Sequence, residues 1–272
     1  MVFKKFSFAQ QKYPMNLQQP AIKAALLGGK EILNVYESDF AVEHKDDKSP
    51  LTLADKNAHL AIVEGLKETG LPILSEEGRS IDFEERSKWE RFWMVDPLDG
   101  TKEFVKRNGE FTVNIALIEN GKSIFGVIYV PVKRTLYVGD TATGAYKVEN
   151  IDSDNFSNEL EKLSIPQKYE RSFTMVGSRS HMSDETTAYM SELKNKHGDV
   201  EIMAVGSSLK LCMVAEGKAD VYPRYAPTME WDTAAGQAIC EAAGFRVLQY
   251  NTDGPVVYNK ENLLNPWFLV CK

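Results

Sequence analysis

The sequence predicts a protein of mixed helix and sheet, an α+β half followed by an α/β half. Two observations carry this. Apolar residues alternate with polar ones through "FTVNIALIENGKSIFGVIYVPVKRTLYVGDTATGAYKV", Phe111 to Val148, with Asn120-Gly121 marking a hairpin turn and Gly144 near another, which is the pattern of an antiparallel meander. From Phe173 onward, short strand-like runs alternate with helical periods, the pattern of an α/β unit.

Ahead of the meander, Ile22, Ala25, Leu26, Ile32, Leu33 and Tyr36 follow a helical stripe over Leu17 to Tyr36, ended by the polar loop "EHKDDKS". Ser49-Pro50 is expected to be extended, since proline disfavours the α conformation in the residue before it, with Asp55 available to cap a second helix over Ala58 to Lys67 that Gly70 closes. "LPILS" is a short strand running into Glu76-Glu77, and Trp93 to Val95 is another, ending at Asp96-Pro97. The polar stretch Glu149 to Glu161 is the expected boundary and divides the chain into residues 1–165 and 166–272. Beyond it the expected order is strand Phe173 to Val176, helix Asp184 to Lys196, strand Val200 to Ala204, helix Ser208 to Glu216, strand Ala219 to Tyr222, helix Thr233 to Ala243 and strand Arg246 to Leu248.

At 272 residues, 43% apolar and 26% charged, the chain has ordinary globular composition and can bury a large core. A net charge of -7 argues against binding a nucleic-acid polymer, which needs a basic footprint to displace counterions. No stretch approaches a membrane span, and no apolar segment with a cleavage site follows the first lysines, so no signal peptide is expected. Cys212, Cys240 and Cys271 are odd in number and free of CxxC spacing, and read as thiols in a reducing, cytoplasmic setting. His44, His59, His181 and His197 pair with no nucleophile pattern and are read as structural or surface residues. Nothing in the residues specifies an oligomer.

The chemistry is concentrated in acids at the ends of apolar runs. In "WMVDPLDGTKEF", Asp96 and Asp99 sit three residues apart where a strand turns, with the Leu98 carbonyl between them; these are hard oxygen ligands of the kind that suits Mg²⁺. Gly100 and Thr101 then open a short helix whose first N–H groups can meet an anion. Asp55, Glu76 and Asp232 hold similar positions at helix or strand ends. A turn or cap explains each acid singly. If the five converge, their mutual repulsion calls for cations.

"VDPLDGTKEF" and "WDTAAGQAICEAAG" resemble the DPxDGT and WDxAAG motifs of the lithium-sensitive, Mg²⁺-dependent inositol monophosphatase superfamily. Further stretches, "SPLTLADKNAH", "LPILSEEG", "GSSLKLCMVAEGKADVYPR" and "LNPWF", are similar to the CysQ-type 3'(2'),5'-bisphosphate nucleotidases, so that the likeness spans about Ser49 to Phe268. The resemblance implies a layered α-β-α-β-α sandwich. It implies that Glu76, Asp96, the Leu98 carbonyl, Asp99 and Asp232 hold two or three Mg²⁺, most of these ligands lying in the first half and Asp232 in the second. Gly100 and Thr101 would hold the scissile phosphate, and Thr101 with Asp55 or Glu76 would orient and deprotonate the attacking water. Substrate contacts would come from Leu98, Asp99, Gly100, Thr101, Ser207, Lys210, Arg224 and Asp232, with Lys210 and Arg224 meeting a second phosphate and Tyr222 offering an aromatic wall. The expected partner is a small molecule, adenosine 3',5'-bisphosphate, cleaved to AMP and phosphate in clearing a by-product of sulfate assimilation. An inositol or sugar monophosphatase is the alternative within the superfamily, and a non-catalytic metal- or nucleotide-binding protein the alternative outside it.

Overall fold

Two helices form the first layer: α1 (Gln18–Tyr36) and α2 (Pro50–Leu66) lie side by side along one face of a large sheet. The computed structural model describes residues 17–38, 50–154, 156, 161–162, 171–177, 183–252 and 254–272. The first 16 residues, residues 39–49 with His44, and residues 178–182 with His181 lie outside these.

The sheet runs in sequence order through β1 (Ile73–Ser75), β2 (Arg91–Asp99), β3 (Thr112–Glu119), β4 (Lys122–Val130), β5 (Thr135–Asp140), β6 (Gly144–Val148) and β7 (Glu161–Lys162). Pairing is antiparallel from β3 to β6, as the alternation predicts, and extends to β2 on one side and to β7, which no pattern announced, on the other, while β1 runs parallel to β2. Both faces of the sheet are buried, and the strand period of two sorts the side chains between them. Trp93, Val95, Ile115 and Val127 join α1 and α2 in one core; Phe92, Met94, Ile118 and Ile128 face a second core on the other side.

That second core is filled by α6 (Leu209–Ala215) and α7 (Glu230–Ala242). Small residues let α7 come close: a Cβ on Gly126 of β4 would lie 2.2 Å from the Ala235 oxygen, and one on Gly139 of β5 would lie 2.3 Å from the Ile239 Cα. Beyond these helices lies a second sheet, the antiparallel order β10-β12-β11 of Tyr222–Arg224, Phe268–Cys271 and Arg246–Gln249. A parallel pair, β8 (Phe173–Val176) and β9 (Val200–Met203), joins it through the Met175–Val221 bridge. Helix α5 (Asp184–His197) covers the outer face with Met190 and Leu193, completing five layers in the order α-β-α-β-α. Two short helices, α3 (Phe83–Arg86) and α4 (Thr101–Val105), flank β2. Among the described residues, no helix is long and apolar enough to cross a membrane.

The structure corrects several expected elements. Helix α2 starts at Pro50 rather than near Ala58, which puts Asp55 in its second turn instead of at its cap; proline is tolerated at a first helical position because that N–H has no intrahelical partner. Strand β2 does not stop at Asp96 but continues through Pro97 to Asp99, its register against β3 shifting between the two aspartates. The expected strand Ala219 to Tyr222 is displaced to Tyr222–Arg224, and β12, the middle strand of the second sheet, was not anticipated.

Candidate metal and phosphate site

The register shift in β2 builds the centre of the site. Asp96 pairs with Asn114 and Asp99 with Thr112, so three steps on β2 match two on β3: a bulge that carries Pro97 and Leu98. Proline fits there because a bulged residue need not donate to the ladder. The Leu98 side chain is buried in the first core and its N–H donates to Asp96 Oδ1 at 3.1 Å, closing a local turn that holds the carboxylate. Gly100 follows with φ +97°, a left-handed conformation that glycine adopts without strain, and caps α4, leaving Thr101 as the first helical residue.

Other elements deliver the remaining acids. Glu76 follows β1, and its N–H donates to the Val95 oxygen at 3.1 Å, which pins it beside the end of β2. Asp232 stands in the first turn of α7 and accepts the Met229 N–H at 2.8 Å. Carboxylate oxygens of Glu76, Asp96 and Asp232 all lie within 4.8 Å of one another. Asp55 comes from α2, buried, and its Oδ1 has no hydrogen-bond partner among the described residues. Asp99 Oδ2 accepts both the N–H and the hydroxyl of Ser208, each at 2.6 Å.

The electrostatics are those of acids forced together. Burial and then the charges of Asp99, Glu76, Asp232 and Asp55 push the Asp96 carboxyl well above the usual carboxylate range. Burial, followed by Glu77 and Glu76, raises Asp55 to about 8. Asp232 is raised to about 7 by burial and Asp99, against the opposing pull of the Met229 N–H and the Arg224 charge. Glu76 is exposed as a residue, yet its carboxyl turns toward Asp96 and is raised by desolvation, Glu77 and Asp99. The donor set fits a hard divalent cation: every candidate ligand is an oxygen, one buried carboxylate oxygen has no partner among the described residues, and a cation relieves the repulsion.

The second half meets this centre at the start of α6. A Cβ on Gly100 would lie 3.1 Å from the Ser207 Cβ, so Ser207, itself at φ +47°, stands against the Gly100 turn. The Lys210 ammonium donates to the Ser207 carbonyl at 3.2 Å. Arg224 donates to the Pro227 oxygen at 3.1 Å, its Nε is buried without a partner among the described residues, and its charge acts on Asp232. Tyr222 is corrected: its ring is buried in the second core, edge-on to Phe268 at 5.8 Å, and offers no wall to a ligand. His59 bonds the Ser75 hydroxyl at 2.9 Å and His197 stacks on Phe173 at 3.9 Å.

Three residues of this region were missed. Ser208 was passed over for its neighbour Ser207. Asn114 donates to the Ser208 oxygen at 3.0 Å; a buried amide inside the apolar run "FTVNIALI" was the available signal. Glu110 accepts the Gly206 N–H at 2.8 Å and holds the turn before α6, a link that no local pattern marks.

The inositol monophosphatase family matches residues 15–267, nearly the whole chain. The chain belongs to the inositol monophosphatase family. Within the family, it is 45% identical over 246 residues to the 3'(2'),5'-bisphosphate nucleotidase CysQ of Salmonella typhimurium, covering 89% of this chain and 94% of the relative. The CysQ of Escherichia coli strain K12 is 44% identical over 247 residues, with the same coverage. Among solved structures, CysQ from Bacteroides thetaiotaomicron superposes with a TM-score of 0.88 at 51% identity, covering 96% of this chain and 98% of that one. An inositol monophosphatase from Staphylococcus aureus shares the fold at a TM-score of 0.74 and 23% identity, covering 94% of this chain and 89% of its own.

Proposed function

We propose that the protein is a Mg²⁺-dependent phosphatase that removes the 3'-phosphate of adenosine 3',5'-bisphosphate to give AMP and phosphate, clearing a by-product of sulfate assimilation in the cytoplasm. The observation that carries the chemistry is the convergence of Glu76, Asp96 and Asp232 within 4.8 Å beside the Gly100 turn. The choice of substrate is supported by the 45% identity to a bisphosphate nucleotidase.

In this reading Glu76, Asp96, the Leu98 carbonyl, Asp99 and Asp232 hold two or three metal ions. Bound there, Mg²⁺ supplies charge neutralisation to the phosphate and lowers the pKa of the attacking water. The Gly100 and Thr101 N–H groups take the phosphate oxygens. Thr101, with Asp55 or Glu76 accepting the proton, orients the water. Ser207, Lys210 and Arg224 bind the nucleotide and the phosphate that does not react. Residues 1–165 supply most metal ligands and 166–272 supply Asp232 and the substrate contacts.

Phosphate release across adenosine 3',5'-bisphosphate, 3'-phosphoadenosine 5'-phosphosulfate, inositol 1-phosphate and a sugar monophosphate, each with Mg²⁺ and with a chelator, tests the assignment. The expected result is Mg²⁺-dependent turnover with kcat/KM highest for a bisphosphate nucleotide. A preference for inositol phosphate replaces the substrate assignment, and turnover in chelator removes the metal assignment.

A further inference from the structure

Ser208 holds the cap position of α6 but does not cap it. A cap serine ordinarily accepts an N–H from the first turn of its own helix; here its side chain makes no such bond. Instead its N–H and hydroxyl converge on one oxygen of Asp99, Oδ2, at 2.6 Å each. The same hydroxyl lies 2.7 Å from the Asp232 carbonyl oxygen, and Asn114 Nδ2 donates to it at 3.0 Å. A hydroxyl has one proton to give. The amide of Asn114 occupies one of its lone pairs, so the proton is left for Asp99 or Asp232. One side chain, 3% exposed, thereby joins the end of β2, the middle of β3, the start of α6 and the start of α7.

We propose that Ser208 is a positioning residue for the divalent cation. It fixes the rotation of the Asp99 carboxylate by filling Oδ2 with its N–H and, the charged oxygen being the stronger acceptor, with its single hydroxyl proton; it leaves Oδ1 for the metal, and its oxygen stands between Asp99 and the Asp232 carbonyl and spaces the two. This rests on the metal-site reading above and assigns a task to a residue that touches neither metal nor substrate. The hydroxyl matters in two ways: it neutralises part of the charge on Asp99 through a charge-assisted bond, and it blocks the carboxylate from turning Oδ1 away.

The experiment is calorimetric titration of Mg²⁺ and Mn²⁺ into the metal-free full chain, for wild type, Ser208→Ala and Ser208→Thr, with unfolding measured in chelator as a control. Ser208→Ala is expected to weaken divalent-cation binding by about 10- to 100-fold, the usual effect of losing a partner behind a metal ligand. Half-saturating Mg²⁺ for turnover should rise by the same factor, while KM for the nucleotide at saturating Mg²⁺ stays unchanged. Ser208→Thr keeps the hydroxyl and should bind like wild type. If Ser208→Ala does not fold, Ser208→Cys, nearly the same shape with a weak donor, serves in its place. Cation binding by Ser208→Ala equal to that of wild type overturns the inference. So does a loss that Ser208→Thr fails to restore. A wild type that binds neither cation is a different result: it overturns the metal-site reading itself, and this inference with it.

Discussion

Gly126 of β4 and Ala235 of α7 touch through their backbones: a methyl group on Gly126 would meet the Ala235 carbonyl oxygen at 2.2 Å. The contact sets how deeply α7 sinks onto the sheet, and α7 carries Asp232 in its first turn. Gly126→Ala should therefore act on the site from within the core. Backbone lies on both sides of the clash, so relief requires α7 to lift. The expected cost is about 1–3 kcal/mol of stability, the usual range for overpacking. Urea unfolding in chelator measures this. Mg²⁺ binding should also weaken, since Asp232 moves with the helix. Unchanged stability would show that the helix is free to shift.

Asp55, near 8, and Asp232, near 7, remain protonated in the metal-free fold where an unfolded chain would ionise them. A carboxyl raised in the native state contributes stability that is full below the unfolded value of about 4 and is lost as pH rises through the native value. The metal-free protein should then lose stability between about pH 4 and pH 8, because the native state binds the extra protons over that window. Added Mg²⁺ should stabilise strongly at pH 8 and weakly at pH 5, where protons compete for the same oxygens. Thermal unfolding across pH, with chelator and with Mg²⁺, checks both. A metal-free midpoint that rises from pH 5 to pH 8 would contradict the mutual repulsion on which the site is built.

Asp99→Asn removes one charge from this cluster while keeping its shape. The amide oxygen can still accept from Ser208, so the fold should survive and the metal-free protein should be at least as stable as wild type. Turnover should be abolished, and the stabilisation by Mg²⁺ should shrink because a ligand stabilises only the state that binds it. Wild-type turnover in this variant would remove Asp99 from the metal site. The same pair of measurements on Asp232→Asn asks whether α7 joins that site.

The meander, the first helix and the strand-helix alternation of the second half were legible from periodicity, while their stacking into five layers was legible only through the resemblance carried by the two motifs. The acids were legible because aspartate and glutamate at the ends of apolar runs are conspicuous. What escaped depends on partners distant in sequence. Strand β2 crosses Pro97 only because β3 supplies the opposing ladder for a bulge. Strand β12 is a four-residue run at the end of the chain, recognisable once β10 and β11 flank it. Ser208 and Ser207 are adjacent and chemically alike; only the approach of Asp99, 109 positions away, gives Ser208 its task.

The substrate reading has its sharpest test in the two cations of the second half. Lys210 is the second residue of α6, its ammonium held by the Ser207 carbonyl beside the Gly100 turn. Arg224 sits at the end of β10, its Nε buried and without a partner among the described residues and its charge acting on Asp232. If they bind the phosphate that does not react, Lys210→Ala and Arg224→Ala should mainly raise KM for adenosine 3',5'-bisphosphate. Each lost charge-assisted contact is worth on the order of 1.5–3 kcal/mol, or roughly tenfold or more in kcat/KM. Arg224→Ala carries a second effect, because its charge holds the Asp232 carboxyl down; removing it should raise that pKa further and increase the Mg²⁺ requirement at neutral pH. Lys210→Ala has no such term and is the cleaner variant. A small monophosphate, which lacks the second phosphate, should be hydrolysed by Lys210→Ala at the wild-type rate. Steady-state kinetics on both substrates at saturating Mg²⁺ separates the outcomes: equal losses on both would place Lys210 at the reacting phosphate, and the bisphosphate assignment would lose its structural support.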